Sequence, residues 1–218
     1  MSFLVNNIEL QEIYFNNQMV KSAYYNNELV WTSHTEPYDW VGWDNATWED
    51  IYNLCQDRQN GVITADEFTS LIGESPKTIT LTSAVQGATE INLSPDIVDS
   101  SGKIGFVAEY LLPEPTTLDL YSYNGREYPG VTAILNNLDA SCDILNYSTY
   151  GFQYMHYNTV TATYPTANER IKTTSDGIAR EWWVGRNTSN LTMVGANGNF
   201  GRVSVNTACY VLPYCIIG

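Results

Sequence analysis

Positive charge is scarce in this chain: its 218 residues carry ten Lys plus Arg against 24 Asp plus Glu, a formal net charge of -14. Nucleic-acid affinity rests on clustered cations that neutralise phosphates, so no nucleic-acid partner is expected. The same sign argues against an anionic membrane surface. No run approaches the roughly 18 apolar residues of a membrane-crossing helix. The opening FLVNNIELQEI has no basic region, no long apolar core and no small-residue cleavage site, so no secretory signal is expected. Four cysteines, Cys55, Cys142, Cys209 and Cys215, form neither a C-x-x-C pair nor a metal-ligand spacing. Without a signal they are expected reduced, in a product made in the cytoplasm.

Catalytic equipment is equally thin. Only His34 and His156 offer near-neutral bases. The first falls in a polar linker, and the second sits in a Tyr-rich run where a packed histidine is the more ordinary reading. No G-x-S-x-G elbow, phosphate-binding loop or H-E-x-x-H is present. Paired glycosidase carboxylates are a spatial arrangement that sequence does not exclude. We therefore expect no enzyme, no cofactor and no metal.

What is present is aromatic and β-leaning. Hydrophobic residues make up 44%, aromatics 13% and charged residues only 16%, with 16 Tyr, which describes a globular chain rather than a disordered one. Its length suits one main domain with a short N-terminal module.

Asn-Asn recurs at 6 and 7, 16 and 17, and 26 and 27, inside LVNNIEL, YFNNQMV and YYNNELVW. Asn tolerates left-handed backbone, so Asn-Asn serves as a two-residue hairpin turn between short strands. Strands this short are not stable alone, so the module docks on its own domain, on sister copies or on a larger particle. An ordinary first sheet of the same domain is the plainer alternative. Ser33 to Asp39 is polar and holds Pro37, and we take residues 33–42 as linker.

The spacing of Tyr14, Tyr24, Leu29, Val30 and Trp31 around these turns resembles the short β-repeats near the N-termini of many tailed-phage structural proteins, with Asn-Asn where that family has Gly. The resemblance implies an attachment module built on Asn6, Asn16 and Asn26 with Tyr14, Tyr24 and Trp31. It also implies other virion proteins as partners, a homo-oligomer, and a place in the virion after synthesis in the host cytoplasm.

Thr47 with Asp50 opens a capped helix whose Trp48, Ile51, Tyr52 and Cys55 share one face, stopped by Gly61. Thr64 with Glu67 opens a second, carrying Phe68, Leu71 and Ile72 and closed by Gly73. Gln56 to Glu67 scans as a calcium loop, but Gln56 and Arg58 stand where carboxylates are needed. Trp40, Trp43 and Trp48 read as helix anchors rather than a sugar platform. Lys77 to Thr82 alternates cleanly and predicts a strand. The Thr47-Trp48-Glu49 start, Gly73, and Lys77 after Glu74 resemble segments of phage and prophage tail-associated proteins.

Further strands are predicted over Lys103 to Leu112, ended by Pro113 and Pro115, and over Leu118 to Tyr123. Val131, Ile134, Leu135 and Leu138 have helical spacing. Thr149 to Ala162 reads as a strand pair, and Thr166 with Glu169 as the cap of one more helical piece. Trp182 to Arg186, Leu191 to Val194 and Arg202 to Asn206 read as strands of a meander, with Ala196 to Asn199 a hairpin turn. The apolar run from Ala208 to Ile217 belongs in a core.

From Tyr164 on, the order carried by Pro165, Glu169, Trp182, Trp183, Arg186, Val211 and Pro213 resembles the C-terminal half of a domain of gut-bacterial and phage proteins, of the C-type-lectin-like and formylglycine-generating-enzyme-like architecture. With the helical pair the resemblance spans about residues 43 to 217, on loose motifs. Cys209 and Cys215, with Pro213 between and apolar flanks, read as structural thiols rather than a copper or redox pair. The expected fold is α+β: a β-hairpin module over 1–32, then a mainly antiparallel, lectin-like domain with short helices over 43–218. The expected function is a non-enzymatic virion protein that displays this domain for host-surface or glycan contact. A stand-alone carbohydrate-binding module or a carbohydrate-active enzyme are the alternatives. If a ligand is bound, the rim residues Trp182, Arg186, Asn197 and Asn199 are the candidates, since turns carry contacts and Trp and Arg supply anchors. Trp182 and Trp183 point to opposite faces, so at least one belongs to the core.

Overall fold

A turn of Asn-Asn every ten residues predicts hairpins closed by two residues, and the strand register agrees. The computed structural model describes residues 4–5, 8–9, 13–15, 18–20, 22–25, 28–32, 40–117, 129–148, 150–187, 190–204 and 206–218. It divides into two compact units, Met1–Asp39 and Trp40–Gly218. In the first, β1 (Leu4–Val5) pairs with β2 (Ile8–Glu9), β3 (Ile13–Phe15) with β4 (Gln18–Val20), and β5 (Ser22–Tyr25) with β6 (Glu28–Thr32), all antiparallel. The innermost partners are Val5↔Ile8, Phe15↔Gln18 and Tyr25↔Glu28, which leaves one Asn-Asn pair between the strands of each hairpin. Asn6, Asn16 and Asn26 themselves lie outside the described residues.

The larger unit begins at Trp40, so Trp40, Val41 and Gly42 belong to it rather than to the linker expected there. The reason is packing: Trp40 lies against the core, 6.5 Å from the ring of Trp43. Trp43 in turn stacks on Phe106 at 6.0 Å, and Trp48 meets the same ring edge-on at 5.0 Å. The tryptophans thus anchor the helical segment, the use expected of them over a sugar platform.

Helix α1 (Trp48–Gln59) starts on a complete capping box: the Thr47 hydroxyl accepts from the Asp50 amide at 3.2 Å and the Asp50 carboxylate accepts from the Thr47 amide at 2.7 Å. Residues 56 to 59 complete this helix, which removes them from any calcium loop. The reciprocal pair Thr64 and Glu67 starts α2 (Ala65–Leu71). A third helix, α3 (Pro129–Ala140), buries Val131, Ile134, Leu135 and Leu138, the four residues that predicted it.

The main sheet is antiparallel, ordered β10 (Gln153–Tyr154), β14 (Pro213–Ile217), β9 (Lys103–Ala108), β8 (Ala88–Asp99), β7 (Lys77–Val85). A three-stranded antiparallel sheet follows the order β11 (Trp182–Asn187), β12 (Asn190–Val194), β13 (Phe200–Arg202). The architecture is mixed α+β. Strand β8 had no counterpart in the sequence reading because Pro95 and Asp96 sit at a bulge between Ser94 and Ile97, which breaks its alternation.

Several expectations are corrected. Thr149 to Ala162 is not a strand pair: among its described residues only Gln153–Tyr154 is strand, and α4 (Tyr157–Thr163) follows. Tyr157, Val160 and Tyr164 recur at helical spacing, and their burial against Phe200 and the core overrides the strand preference of Tyr and Thr. The strand from Lys103 stops at Ala108, and Leu111 and Leu112 bond to the carbonyls of Thr173 and Val211 instead. The strand placed at Arg202 to Asn206 lies at Phe200–Arg202, because pairing starts at the turn and Thr207 bonds back to Ser204 beyond it. Thr166 and Glu169 make their capping bonds, yet only a turn follows. The Arg170 carbonyl, which a continuing helix would use, accepts the Trp182 indole N–H at 3.1 Å. Leu118 to Tyr123 lies outside the described residues.

Candidate functional site

The residues singled out as ligand contacts separate into core and rim. Trp182 is fully buried and spends its indole N–H on Arg170, so it is a core residue rather than the rim anchor expected. Trp183, on the opposite face, is 2% exposed and buried as well. Both side chains belong to the core cluster, and both edges of β11 are paired, to β12 on one side and, through Trp182↔Tyr210 and the Trp183 amide to the Tyr210 carbonyl at 3.0 Å, to the C-terminal run on the other. The backbone of Arg186 pairs with Leu191. Asn197 and Asn199 are exposed at the turn after β12, where the Asn197 side chain accepts from the Asn199 amide at 3.0 Å. The structure therefore does not bring the four together: one is core, and two share an exposed turn.

Tyr14, Tyr24 and Trp31, expected to serve attachment, lie on strands, paired with Met19, Leu29 and Ala23. His34 lies outside the described residues. His156 is exposed at the N-terminus of α4, 5.4 Å from the ring of Tyr154, rather than packed in a strand. Cys55, Cys209 and Cys215 are buried and Cys142 half-buried, all as free thiols. Burial pushes Cys55 up to about 12 and Cys209 up to about 11, and it raises Cys142 and Cys215 as well, so each is held as the unreactive thiol. Among the described residues, no group of three or more His, Cys, Asp or Glu is placed to hold a metal ion, and no helix is long and apolar enough to cross a membrane.

One polar cluster ties the main sheet to the segment after α4. The Tyr164 hydroxyl donates to Asp96, at the bulge of β8, and the Lys172 ammonium lies 3.8 Å from the centre of the Tyr164 ring. Burial and the Asp96 carboxylate both raise the Tyr164 phenol, so it keeps its proton. Burial lowers Lys172, partly offset by Asp96. The arrangement is a clamp between β8 and the segment after α4, with the Tyr164 hydroxyl committed to Asp96.

A concave site exists elsewhere. Strands β8 and β9 pair as far as Leu93↔Ala108, and the Glu109 amide makes a last bond to the Asn92 carbonyl at 2.9 Å. There the chains part, since Leu111 and Leu112 turn to Thr173 and Val211. They meet again at Gly87, where an added methyl would touch Pro113 at 3.5 Å. Between these points lies a hollow of about 260 Å³, lined by residues 87–92 and 110–113 and by Ser175. Leu111, Leu112 and Ile91 are buried beneath it, while Thr89, Glu90, Tyr110 and Ser175 are exposed. Sequence reasoning missed this group because Glu90, Tyr110 and Ser175 share no local pattern; only the splitting of two paired strands assembles them.

Against known proteins, no family model matches the chain, no curated protein matches it, and no solved structure matches it.

Proposed function

We propose that the chain is a non-enzymatic structural protein of a tailed-phage virion, held to other virion proteins through its N-terminal hairpins and displaying a larger domain, of C-type-lectin-like kind, for host-surface or glycan contact. The observation that carries the reading is the hairpin register: three successive pairs, each closing over one Asn-Asn at a ten-residue period. Two to five residues per strand bury too little for independent stability, so such units function by docking on something else. On this reading Asn6, Asn16 and Asn26, with the aromatic strand residues Tyr14, Tyr24 and Trp31, are the residues assigned to the contact. The turn of Asn197 and Asn199 stays available on the displayed domain.

A stand-alone carbohydrate-binding module is the second reading, favoured by the division into two units of which the larger holds its own core. Deleting residues 1–32 separates them. On the virion reading the shortened chain folds but is absent from purified particles, where electron microscopy and protein gels find the full chain in fixed stoichiometry. Full incorporation of the shortened chain, or a full chain found only free of particles, overturns it.

A further inference from the structure

We infer that the hollow between β8 and residues 110–113 binds one neutral saccharide residue, with Tyr110 as the stacking surface and Glu90 as the principal hydrogen-bond acceptor. This deepens the reading above by naming the ligand class and its place. Three features of the hollow select the occupant. Its length is short: one end is closed by the Glu109 amide bonded to Asn92, and at the other a methyl group on Gly87 would lie 3.5 Å from Pro113, which leaves little room for an extended peptide to pair along β8. Its volume of about 260 Å³ falls below the roughly 300–1,000 Å³ of sites for larger ligands, which fits a single ring. Glu90 is the one charged side chain among its lining residues, so an anion meets repulsion there and no counter-ion.

The wall chemistry suits hydroxyl groups. Backbone groups of an antiparallel strand alternate between its two neighbours, and Asn92 points its carbonyl towards the β9 side; Glu90, two residues earlier, directs its N–H and C=O the same way, into the hollow. Glu90 and Ser175 are exposed polar residues of the lining, beside the buried Ile91, Leu111 and Leu112. Tyr110 is 46% exposed at the mouth, a large apolar ring left in water beside polar partners. An aromatic face set among hydroxyls and a carboxylate is complementary to a sugar ring, which has C–H faces and a hydroxyl rim.

The test is an amide-resolved NMR titration of the full ¹⁵N-labelled chain with glucose, galactose, rhamnose and N-acetylglucosamine, each added as the free sugar. At least one is expected to give saturable shifts at residues 87–92 and 110–112. Tyr110→Ala and Glu90→Gln are each expected to weaken that binding about tenfold or more with an unchanged melting temperature. Absence of saturable shifts with all four sugars, shifts confined to the Asn197 turn, or wild-type affinity in both variants overturns the inference. Failure here is distinct from failure of the virion reading: a chain incorporated into particles without sugar shifts sinks only the site, and a chain that binds sugar but never enters particles sinks only the virion.

Discussion

At the scale of single residues, the turn after β12 shows how conformation and space combine. Gly198 has φ +78° and is buried, and a methyl group added there would lie 1.7 Å from the Ala167 carbonyl oxygen. Gly177 has nearly the same backbone, φ +77°, with open space where its side chain would be. Alanine at Gly177 therefore meets only the left-handed backbone penalty of about 1–2 kcal/mol. Alanine at Gly198 adds a backbone collision, for a total of roughly 3–5 kcal/mol. Urea unfolding of the two variants checks this, and equal losses contradict it. Residue identity alone distinguishes neither these glycines nor the Trp pair. Alternation puts Trp182 and Trp183 on opposite faces of β11, and both are buried in the core. Among the described residues the Trp183 indole N–H meets no acceptor, so that burial carries a polar cost.

At the scale of elements, local signals succeeded mainly where the stabilising contacts are close in sequence, the box of Thr166 with Glu169, followed only by a turn, being the exception. The boxes of Thr47 with Asp50 and Thr64 with Glu67, the stripe of α3, the alternation of β7 and the Asn-Asn hairpins all concern residues within about four positions of one another. Thr47→Ala is expected to cost about 1 kcal/mol, because the Thr47 hydroxyl and the buried Asp50 carboxylate satisfy each other's amides at the start of a twelve-residue helix. Thr64→Ala is expected to cost less, since its partner Glu67 is exposed and α2 is only seven residues long. Thermal melts followed by circular dichroism rank the two, and the reverse order is the contrary result. Elements set by distant partners were misread. Helix α4 is rich in Tyr and Thr and is held helical by Phe200 and the core, while β8 hides its strand character behind the bulge at Pro95 and Asp96.

At the scale of the whole molecule, the buried thiols make stability a function of alkaline pH. Cys55 is raised from 9.0 to about 12 by burial, partly offset by a backbone bond with Ile104, and Cys209 from 9.0 to about 11 by burial and Glu181. A raised folded-state value means that the folded chain keeps a proton the unfolded chain releases. The stabilisation is complete below about pH 9 and is lost as pH rises through the window from 9 to about 11 and 12. The urea midpoint is expected to hold from about pH 7 to 8.5 and to fall above about pH 9, more steeply in wild type than in Cys55→Ala. A midpoint that is flat across that range, or a slope unchanged in the variant, contradicts this. In the native state the buried thiols are expected to resist a disulfide-exchange reagent until the chain is unfolded.

The sequence by itself determined the α+β class, the separate N-terminal hairpins, two capped helices and the apolar C-terminal run, because turn chemistry, caps and periodicity act between neighbours along the chain. Tertiary structure alone decided which aromatic residues are covered, where α4 and β8 lie, and that β8 and β9 part at Asn92 and Glu109 to leave a hollow beside Tyr110. Burial and concavity arise from elements tens of residues apart closing on one another, and no short pattern encodes where two paired strands will separate.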